Sequence, residues 1–302
     1  MKSTSIHPYN AERDLGFFQK FLYLFLNWVN NLFPYHNLDK RIVFKSFGDL
    51  NWTREWDKTY PNSSVGRKLS DLFWRTMPWR EIKKELGEIH IFDTGCGQGN
   101  YSTRIQDGSG GLVSSYTGVD AKRRNNWQIL EERHQNFHFL ESTSNDISHL
   151  IPPKTNLFIS QSAIEHFDND LLFFEQIRRY IEKSDRPIIQ MHLFPGAAAL
   201  PLYLFHGVRQ YTPRTIAKIT KLFDDSSNIY LYGLGGSKGK RVHWRYFTWP
   251  VLISRRLTKP TFNVSEYDKR LRLAVEQDMK HPSKSPIFWA LVIHSHPRRK
   301  IW

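Results

Sequence analysis

Residues 89–100 read IHIFDTGCGQGN, so an apolar run leads directly into three glycines at alternate positions. The apolar run predicts a buried strand, and the residues after the glycines predict the start of a helix. Glycines allow a tight turn and let a ligand approach the backbone, while the N-terminus of a helix offers free N–H groups. The segment therefore predicts a strand, a ligand-binding loop and a helix in direct succession.

Short apolar runs alternate with helical segments from residue 89 onward. We expect strands over residues 89–93, 116–120, 137–141, 157–162, 187–194, 228–232 and 287–295. Helices are expected to begin near residue 101 and to cover residues 169–183 and about 213–223. This alternation predicts an α/β fold with helices on the faces of a parallel sheet.

Two acidic residues stand at the ends of neighbouring predicted strands. Asp93 comes just before the glycines, where it suits an ammonium group better than a pyrophosphate. Asp120 closes the next strand, and an acid about 20 residues beyond a glycine loop suits a ribose diol. Asn100 occupies the position at which a dinucleotide fingerprint places its third glycine, which argues against NAD or FAD.

This arrangement resembles the class I S-adenosylmethionine-dependent methyltransferases, whose first motif typically reads hydrophobic-hydrophobic-Asp-x-Gly-x-Gly-x-Gly. The resemblance covers residues 89–223 and extends to the final strand. It implies a Rossmann-like sheet and S-adenosyl-L-methionine as the cofactor. It does not cover residues 1–88 or a basic insertion over about 233–285.

The resemblance also implies which residues bind the cofactor. The three glycines would wrap around it, Asp93 would lie near its methionine amino group, and Asp120 would hold its ribose hydroxyls. Asp146 follows the third strand, where such enzymes contact adenine. The full predicted set is Asp93, Gly95, Cys96, Gly97, Gly99, Asp120, Ala121, Asp146 and Gln161.

The fourth predicted strand leads into the sequence QSAIEH, residues 161–166. Ligands bind at the carboxyl ends of parallel strands, so these residues are expected to face the cofactor. The Ile-Glu-His triplet resembles ubiquinone-pathway and sugar O-methyltransferases, and also the small-RNA terminal 2′-O-methyltransferases. Methyl transfer to a hydroxyl requires removal of its proton, so His166 is a candidate base. The alternative is that Glu165 and His166 only cap the next helix or hold the cofactor loop.

Further candidate residues follow the later strands. His192, at the end of the fifth strand, is a second candidate base. A metal site of Glu165, His166 and His192 is an open alternative, although Ser162 replaces the first glutamate of the small-RNA enzymes, and we assign no metal. Candidate acceptor-binding residues are His206, Arg209 and Tyr211, with a structural helix-entry turn as an equal alternative.

The charge of the chain narrows the class of partner. The formal net charge is +14, and such a surface attracts nucleic acid, anionic lipid or polyanionic glycan without distinguishing among them. Residues 226–265 contain no acid, and aromatic residues are interleaved with their basic ones. The basic residues there are Lys238, Lys240, Arg241, Arg245, Arg255, Arg256 and Lys259. Arg241 and Arg245 are predicted to contact the substrate.

Residues 1–88 are predicted to form a helical N-terminal extension or lid beside a methyltransferase domain over 89–302. An apolar face is formed at helical spacing by Phe18, Phe21, Leu22, Phe25, Val29 and Leu32. We expect this face to pack on the core, with a helix resting on a membrane as the alternative. Polar residues interrupt the stretch 17–33, which therefore is not expected to span a membrane.

The sequence predicts a cytoplasmic enzyme, with a peripheral membrane location as one interpretation. Cys96 is the only cysteine, and residues 1–14 lack the pattern of a signal peptide. We expect O-methylation of a small molecule, a sugar or a lipid-linked glycan. The alternative is a 2′-O RNA methyltransferase that holds RNA on the insertion, and DNA is not expected as a partner. A catalytically silent binding protein is a third class.

Overall fold

The computed structural model describes residues 3–254 and 262–302, and its strands form one eight-stranded sheet. The strands are β1 (Ile42–Ser46), β2 (Ile89–Thr94), β3 (Val113–Asp120), β4 (Phe137–Glu141), β5 (Leu157–Gln161), β6 (Ile188–Pro195), β7 (Asn228–Leu234) and β8 (Phe288–Ser295). Their order is β1-β7-β8-β6-β5-β2-β3-β4, and β8 alone runs antiparallel to both neighbours. The Rossmann-like α/β fold predicted from the sequence is confirmed.

The helices of the described residues lie before, between and after these strands. They are α1 (Phe17–Asn30), α2 (Val65–Thr76), α3 (Trp79–Leu86), α4 (Asn100–Gly108), α5 (Asn126–Arg133), α6 (Asp170–Ile181), α7 (Leu200–Tyr203), α8 (Pro213–Thr220), α9 (Ser237–His243), α10 (Trp249–Ser254) and α11 (Val264–Lys280). None of the described helices is both long enough and apolar enough to cross a membrane.

Buried apolar residues form one cluster on each face of the sheet. Ile91 and Phe92 are neighbours on β2, so their side chains point to opposite faces, and each belongs to a different cluster. The cluster of Ile91 includes residues of α2 and α3, whereas the cluster of Phe92 includes residues of α6 and α8. Helices therefore cover both faces, which leaves the strand ends free to hold a ligand.

The prediction that residues 1–88 are entirely helical is wrong at β1. This strand pairs in parallel with β7 and forms one edge of the sheet. It has only five residues, with Ile42 buried and Val43 and Phe44 exposed, so it is too short to show a clear period of two. The helices α1, α2 and α3 of this region agree with the predicted helical extension.

Helix α1 forms where the sequence predicts it but faces the opposite way. Its apolar side chains are exposed, and the residues it buries against the protein are Tyr23, Asn27 and Asn30. The expectation that the apolar face of α1 packs on the core is therefore wrong.

The predicted insertion lies between β7 and β8 and contains α9, α10 and α11. The 17-residue α11 packs against α9 and contributes Tyr267, Leu271 and Val275 to the cluster that includes Ile91. Three of the basic residues named from the sequence, Arg255, Arg256 and Lys259, fall outside the described residues.

Candidate cofactor and acceptor site

The strand order reverses between β2 and β5, because β3 and β4 follow on one side and β6 on the other. In open α/β sheets, ligands bind beyond the carboxyl ends of the strands at such a point. A cleft of about 560 Å³ lies there, lined by residues that follow β2, β3, β4 and β5. This volume lies within the range of roughly 300–1,000 Å³ that is usual for ligand pockets.

Another cavity, of about 530 Å³, lies at the opposite edge of the sheet. It is lined by the end of α6, the residues before β7 and the end of the antiparallel β8. The parallel strands begin at that edge, so it lacks the strand-to-helix loops that hold ligands in this architecture. We therefore place the functional site in the first cleft.

The glycine loop forms one wall of this cleft. The backbone φ angles of Gly95 and Gly97 are +80° and +54°, a region that residues other than glycine rarely adopt. A Cβ atom at Gly97 would meet no atom within 4 Å, so this glycine opens onto the cleft. A Cβ atom at Gly95 would instead come 2.4 Å from the Cβ of Ala163. Gly97 thus keeps space for a ligand, and Gly95 allows the loop to pack on the turn after β5.

The third glycine of the motif has a different place. Gly99 precedes α4, and a Cβ atom there would come 2.7 Å from Leu130 and from Phe139. The cleft lining does not include Gly99. Its position therefore concerns the packing of α4 and α5 on β4 rather than direct contact with a ligand.

Asp120 joins the end of β3 to the glycine loop. Its Oδ2 atom accepts a hydrogen bond of 2.9 Å from the backbone N–H of Gly97, and its Oδ1 atom accepts one of 3.2 Å from Lys122. Each carboxylate oxygen has a second lone pair, so Asp120 can still accept hydrogen bonds from a ribose diol. Asp120 and Ala121 both line the cleft, where the sequence predicts them.

Asp93 is a buried carboxyl group with one free oxygen. Its Oδ2 atom accepts a hydrogen bond from the hydroxyl of Tyr116, whereas Oδ1 has no hydrogen-bond partner among the described residues. Burial raises the pKa of Asp93 to about 7. Buried polar atoms almost always have a partner. Thr94 and Gly95, which directly follow Asp93, line the cleft, so the free oxygen of Asp93 suits a ligand that carries a cationic donor.

Three other predicted cofactor residues turn away from the cleft. The Cys96 thiol is buried beside Gly118, and burial raises its pKa. The side-chain amide of Gln161 binds α2, accepting a hydrogen bond of 2.9 Å from Trp74 Nε1. Asp146 is exposed and lies 3.2 Å from His149, while the preceding residues, 142–145, line the cleft.

His166 lies on the wall of the cleft that the turn after β5 provides. A short 3₁₀ helix, Ile164–His166, presents its imidazole to the cleft. Its Nδ1 atom lies 2.9 Å from Glu12 Oε1, and its Nε2 atom lies 3.9 Å from Glu165 Oε1. The ring of His206 stands perpendicular to it at 4.6 Å. The structure therefore brings together three predicted residues and adds Glu12.

The electrostatics of this group favour a charged pair. Burial lowers the pKa of His166, but the hydrogen bond to Glu12 and the charge of Glu165 outweigh burial, and the pKa is raised above its usual value. The hydrogen bond to His166 lowers the pKa of Glu12. Burial raises the pKa of Glu165 to about 7, and neither of its carboxylate oxygens has a hydrogen-bond partner among the described residues.

Glu12 reaches the site on the N-terminal strap, by which we mean residues 3–16. The strap is tied to the loops after β5 and α7: the N–H of Ala11 donates to the carbonyl of Gly207 at 2.8 Å, and Arg13 pairs with Asp168. No pattern in the sequence points to Glu12, because it precedes His166 by 154 positions and no motif surrounds it.

Several predicted acceptor and catalytic residues lie outside the cleft. His192 is fully buried between Phe173 and Phe174, its Nδ1 atom lies 2.8 Å from Ser160 Oγ, and burial lowers its pKa to about 3. The structure therefore does not bring His192 to Glu165 and His166. Within the described residues, the group whose ligand atoms lie within 4.8 Å of one another is Glu12, His166 and His206.

Arg209 and Tyr211 hold the backbone of the loop that carries His166. Both are fully buried and donate hydrogen bonds to backbone carbonyls of the loop 164–168, and the Tyr211 hydroxyl donates to Asp170 at 2.8 Å. The structural alternative weighed from the sequence fits both residues better than acceptor binding. Arg241 and Arg245 are exposed on α9 and the π-helical turn after it, and the cleft lining does not include them.

No protein-family profile and no curated protein matches this sequence. The fold is similar to that of the plantazolicin methyltransferase BamL in complex with a triazolic desmethylPZN analogue and SAH, with 14% identity, a TM-score of 0.45, and 81% of this chain and 90% of that chain covered. It is also similar to a SAM-dependent methyltransferase from Archaeoglobus fulgidus, with 15% identity, a TM-score of 0.44, and 80% and 98% covered. At these identities the likeness extends to the fold alone.

Proposed function

We propose that this protein is an S-adenosylmethionine-dependent methyltransferase that methylates a hydroxyl group of a sugar or another small acceptor. One observation carries the proposal. A single cleft has Thr94, the glycine loop and Asp120 at one wall, with the unpartnered oxygen of Asp93 buried behind that wall, and the Glu12–His166 pair at the other.

The first wall fits the cofactor. Asp120 would accept hydrogen bonds from the ribose hydroxyls, Gly97 would leave room for the close approach of the ligand, and the Asp93 carboxylate would hold the methionine ammonium group. A cation beside Asp93 favours its charged form and would lower its pKa from about 7. When bound, the cofactor supplies an electrophilic methyl group on its sulfonium.

The second wall removes the proton of the acceptor hydroxyl. His166 Nε2 would take the hydroxyl proton as the acceptor oxygen gains the methyl group and the sulfur of the cofactor keeps the electron pair of the broken sulfur–carbon bond. Nδ1 of the same ring lies 2.9 Å from the Glu12 carboxylate, and Nε2 lies 3.9 Å from that of Glu165. The carboxylate of Glu12 stabilises the imidazolium ion that forms. Glu12 is thus a positioning residue for His166.

A sugar hydroxyl suits the surroundings of the cleft better than RNA. The candidate RNA contacts, Arg241 and Arg245, lie outside the described cleft lining. We assign the methylated atom to oxygen, because a hydroxyl of high pKa needs a base to remove its proton during transfer and His166 can be that base.

The proposal is tested by incubation of the purified protein with methyl-labelled S-adenosylmethionine and a panel of saccharides, nucleotide sugars and short RNAs. We expect label in an acid-stable methyl ether of a saccharide. A labelled amine or a labelled RNA would overturn the assignment of acceptor class. Cofactor binding without labelling of any acceptor, together with an unchanged result for His166→Ala, would indicate a silent binding protein.

A further inference from the structure

Helix α1 presents an aromatic surface to solvent. We call the side chains of this surface the aromatic face: Phe17, Phe18, Phe21, Phe25, Trp28 and Phe33, which are 83%, 84%, 70%, 48%, 57% and 73% exposed. The first five recur at helical spacing, and Phe33 follows the end of the helix. Ring centroids lie 5.8 Å apart in Phe17 and Phe18 and 6.1 Å apart in Phe25 and Trp28, so these four side chains form two neighbouring pairs.

Polar contacts hold the helix in this orientation. On its inner side, Tyr23 donates a hydrogen bond of 3.0 Å to the carbonyl of His206, and Asn27 donates one of 3.2 Å to the carbonyl of Val208. Arg214 donates a hydrogen bond of 2.7 Å to the carbonyl of Asn30, beyond which the helix ends. A rotation that buried the aromatic face would break these bonds, so the exposure of the aromatic face is built into the packing.

An exposed apolar surface of this kind indicates a binding partner that covers it. Large contiguous apolar patches are rare on monomeric proteins in water and mark interaction sites. The composition of the helix, with phenylalanine and tryptophan beside amide side chains and Lys20, resembles that of helices that lie in a membrane interface. A 14-residue helix is roughly 21 Å long, which suits an orientation in the plane of a bilayer.

The charge of the chain distinguishes two candidate occupants. Residues 15–38 contain no acidic residue and include Lys20, and the whole chain carries a net charge of +14. The first candidate is a second copy of the chain, but two copies with this charge repel each other. The second is an anionic bilayer, which attracts the positive charge and meets no acidic residue on the helix that it would repel. We infer that α1 docks the protein on an anionic phospholipid membrane, with the aromatic face at the boundary of headgroups and acyl chains.

Docking through α1 also fixes where the cleft lies relative to the membrane. Tyr23 bonds the backbone of His206, whose ring contacts His166 at 4.6 Å. If the proposed function holds, a hydroxyl carried on a lipid-linked acceptor reaches His166 close to the docked helix. The docking itself does not depend on the proposed function, because lipid binding is measured without turnover.

The test is co-sedimentation of the full chain with vesicles of phosphatidylcholine alone or of phosphatidylcholine with 30% phosphatidylserine, roughly the range in which polybasic surfaces bind. We expect binding to the phosphatidylserine vesicles and little to the others. The variant Phe18→Ser/Phe21→Ser should reduce the binding constant at least about tenfold, because two exposed aromatic side chains no longer enter the lipid. The matched control is Ile129→Ser/Leu273→Ser, which removes two exposed apolar side chains elsewhere.

Circular dichroism and the affinity for S-adenosylhomocysteine verify that both variants are folded and distinguish this test from that of the proposed function. Wild-type protein that remains in the supernatant with phosphatidylserine vesicles would overturn the inference. Equal losses in the variant and in the control would also overturn it. A dimer in analytical ultracentrifugation that dissociates in Phe18→Ser/Phe21→Ser, with unchanged vesicle binding, would show that a second copy occupies the aromatic face.

Discussion

The two walls of the cleft are built in different ways. The cofactor wall is local, since Asp93 to Asp120 form one strand–loop–helix–strand unit whose members contact each other directly. The acceptor wall is assembled from distant parts of the chain: Glu12 on the N-terminal strap, His166 after β5 and His206 after α7. A local unit is recognisable from its sequence, whereas an assembled wall becomes visible only in the fold.

The largest effect is expected on the acceptor wall. His166→Ala removes the proposed base and should lower kcat by about 10²–10⁴-fold. The affinity for S-adenosylmethionine should not change, because His166 belongs to the other wall. His149→Ala, at an exposed histidine, is the matched control. Activity near that of the wild type in His166→Ala would exclude His166 as the base and would direct attention to its neighbour His206.

Two substitutions separate packing from ligand contact within the cofactor wall. Both Gly95→Ala and Gly97→Ala place alanine at positive φ, at a cost of about 1–2 kcal/mol each. Gly95→Ala should cost a further ~1–3 kcal/mol of unfolding free energy, because its methyl group would overlap Ala163. Gly97→Ala should be milder in stability but should weaken cofactor binding more, because its methyl group enters the cleft.

Urea denaturation and calorimetry of the same two variants measure these effects. Equal losses of stability would mean that the turn after β5 yields to the added methyl group. A larger loss of cofactor affinity in Gly95→Ala than in Gly97→Ala would reverse the assignment of the two glycines.

The smallest effect concerns the pKa of His166. Glu12 raises this pKa through its hydrogen bond and its charge, so Glu12→Gln should lower the pKa of His166. The imidazole would then lose its proton at lower pH, and the rising limb of the pH–rate profile would move toward acid. Titration of the His166 ring by NMR measures the pKa directly and needs no acceptor. A pKa that is unchanged or higher in Glu12→Gln would show that the strap does not control the base.

The contrast between the walls explains which predictions the sequence supports. The glycine motif predicts β2, the loop and Asp120, because each of these depends on neighbours within about 30 residues. The seven strands β2 to β8 are recognisable from their apolar runs, but the side-chain directions of Gln161 and Asp146 depend on α2 and on solvent exposure at the loop. Sequence position alone did not indicate that these two side chains leave the cleft.

Long-range contacts account for the other differences. His192 ends a strand, as a catalytic residue would, but α6 covers it with two phenylalanines. Helix α1 shows a regular apolar period, yet Tyr23 and Asn27 bind the backbone after α7 and turn the apolar side outward. Periodicity reveals that a helix has an apolar face, but it does not reveal whether that face meets a core or a membrane.

The central claim is that the cofactor wall binds S-adenosylmethionine, and calorimetry with S-adenosylhomocysteine tests it most directly. We predict micromolar binding, about −8 kcal/mol. Asp120→Ala should weaken it by about 1.5–3 kcal/mol through the loss of charge-assisted hydrogen bonds. Asp146→Ala, at an exposed acid outside the described cleft lining, should leave it unchanged. No heat with S-adenosylmethionine or S-adenosylhomocysteine, together with tight binding of NAD, would contradict the claim.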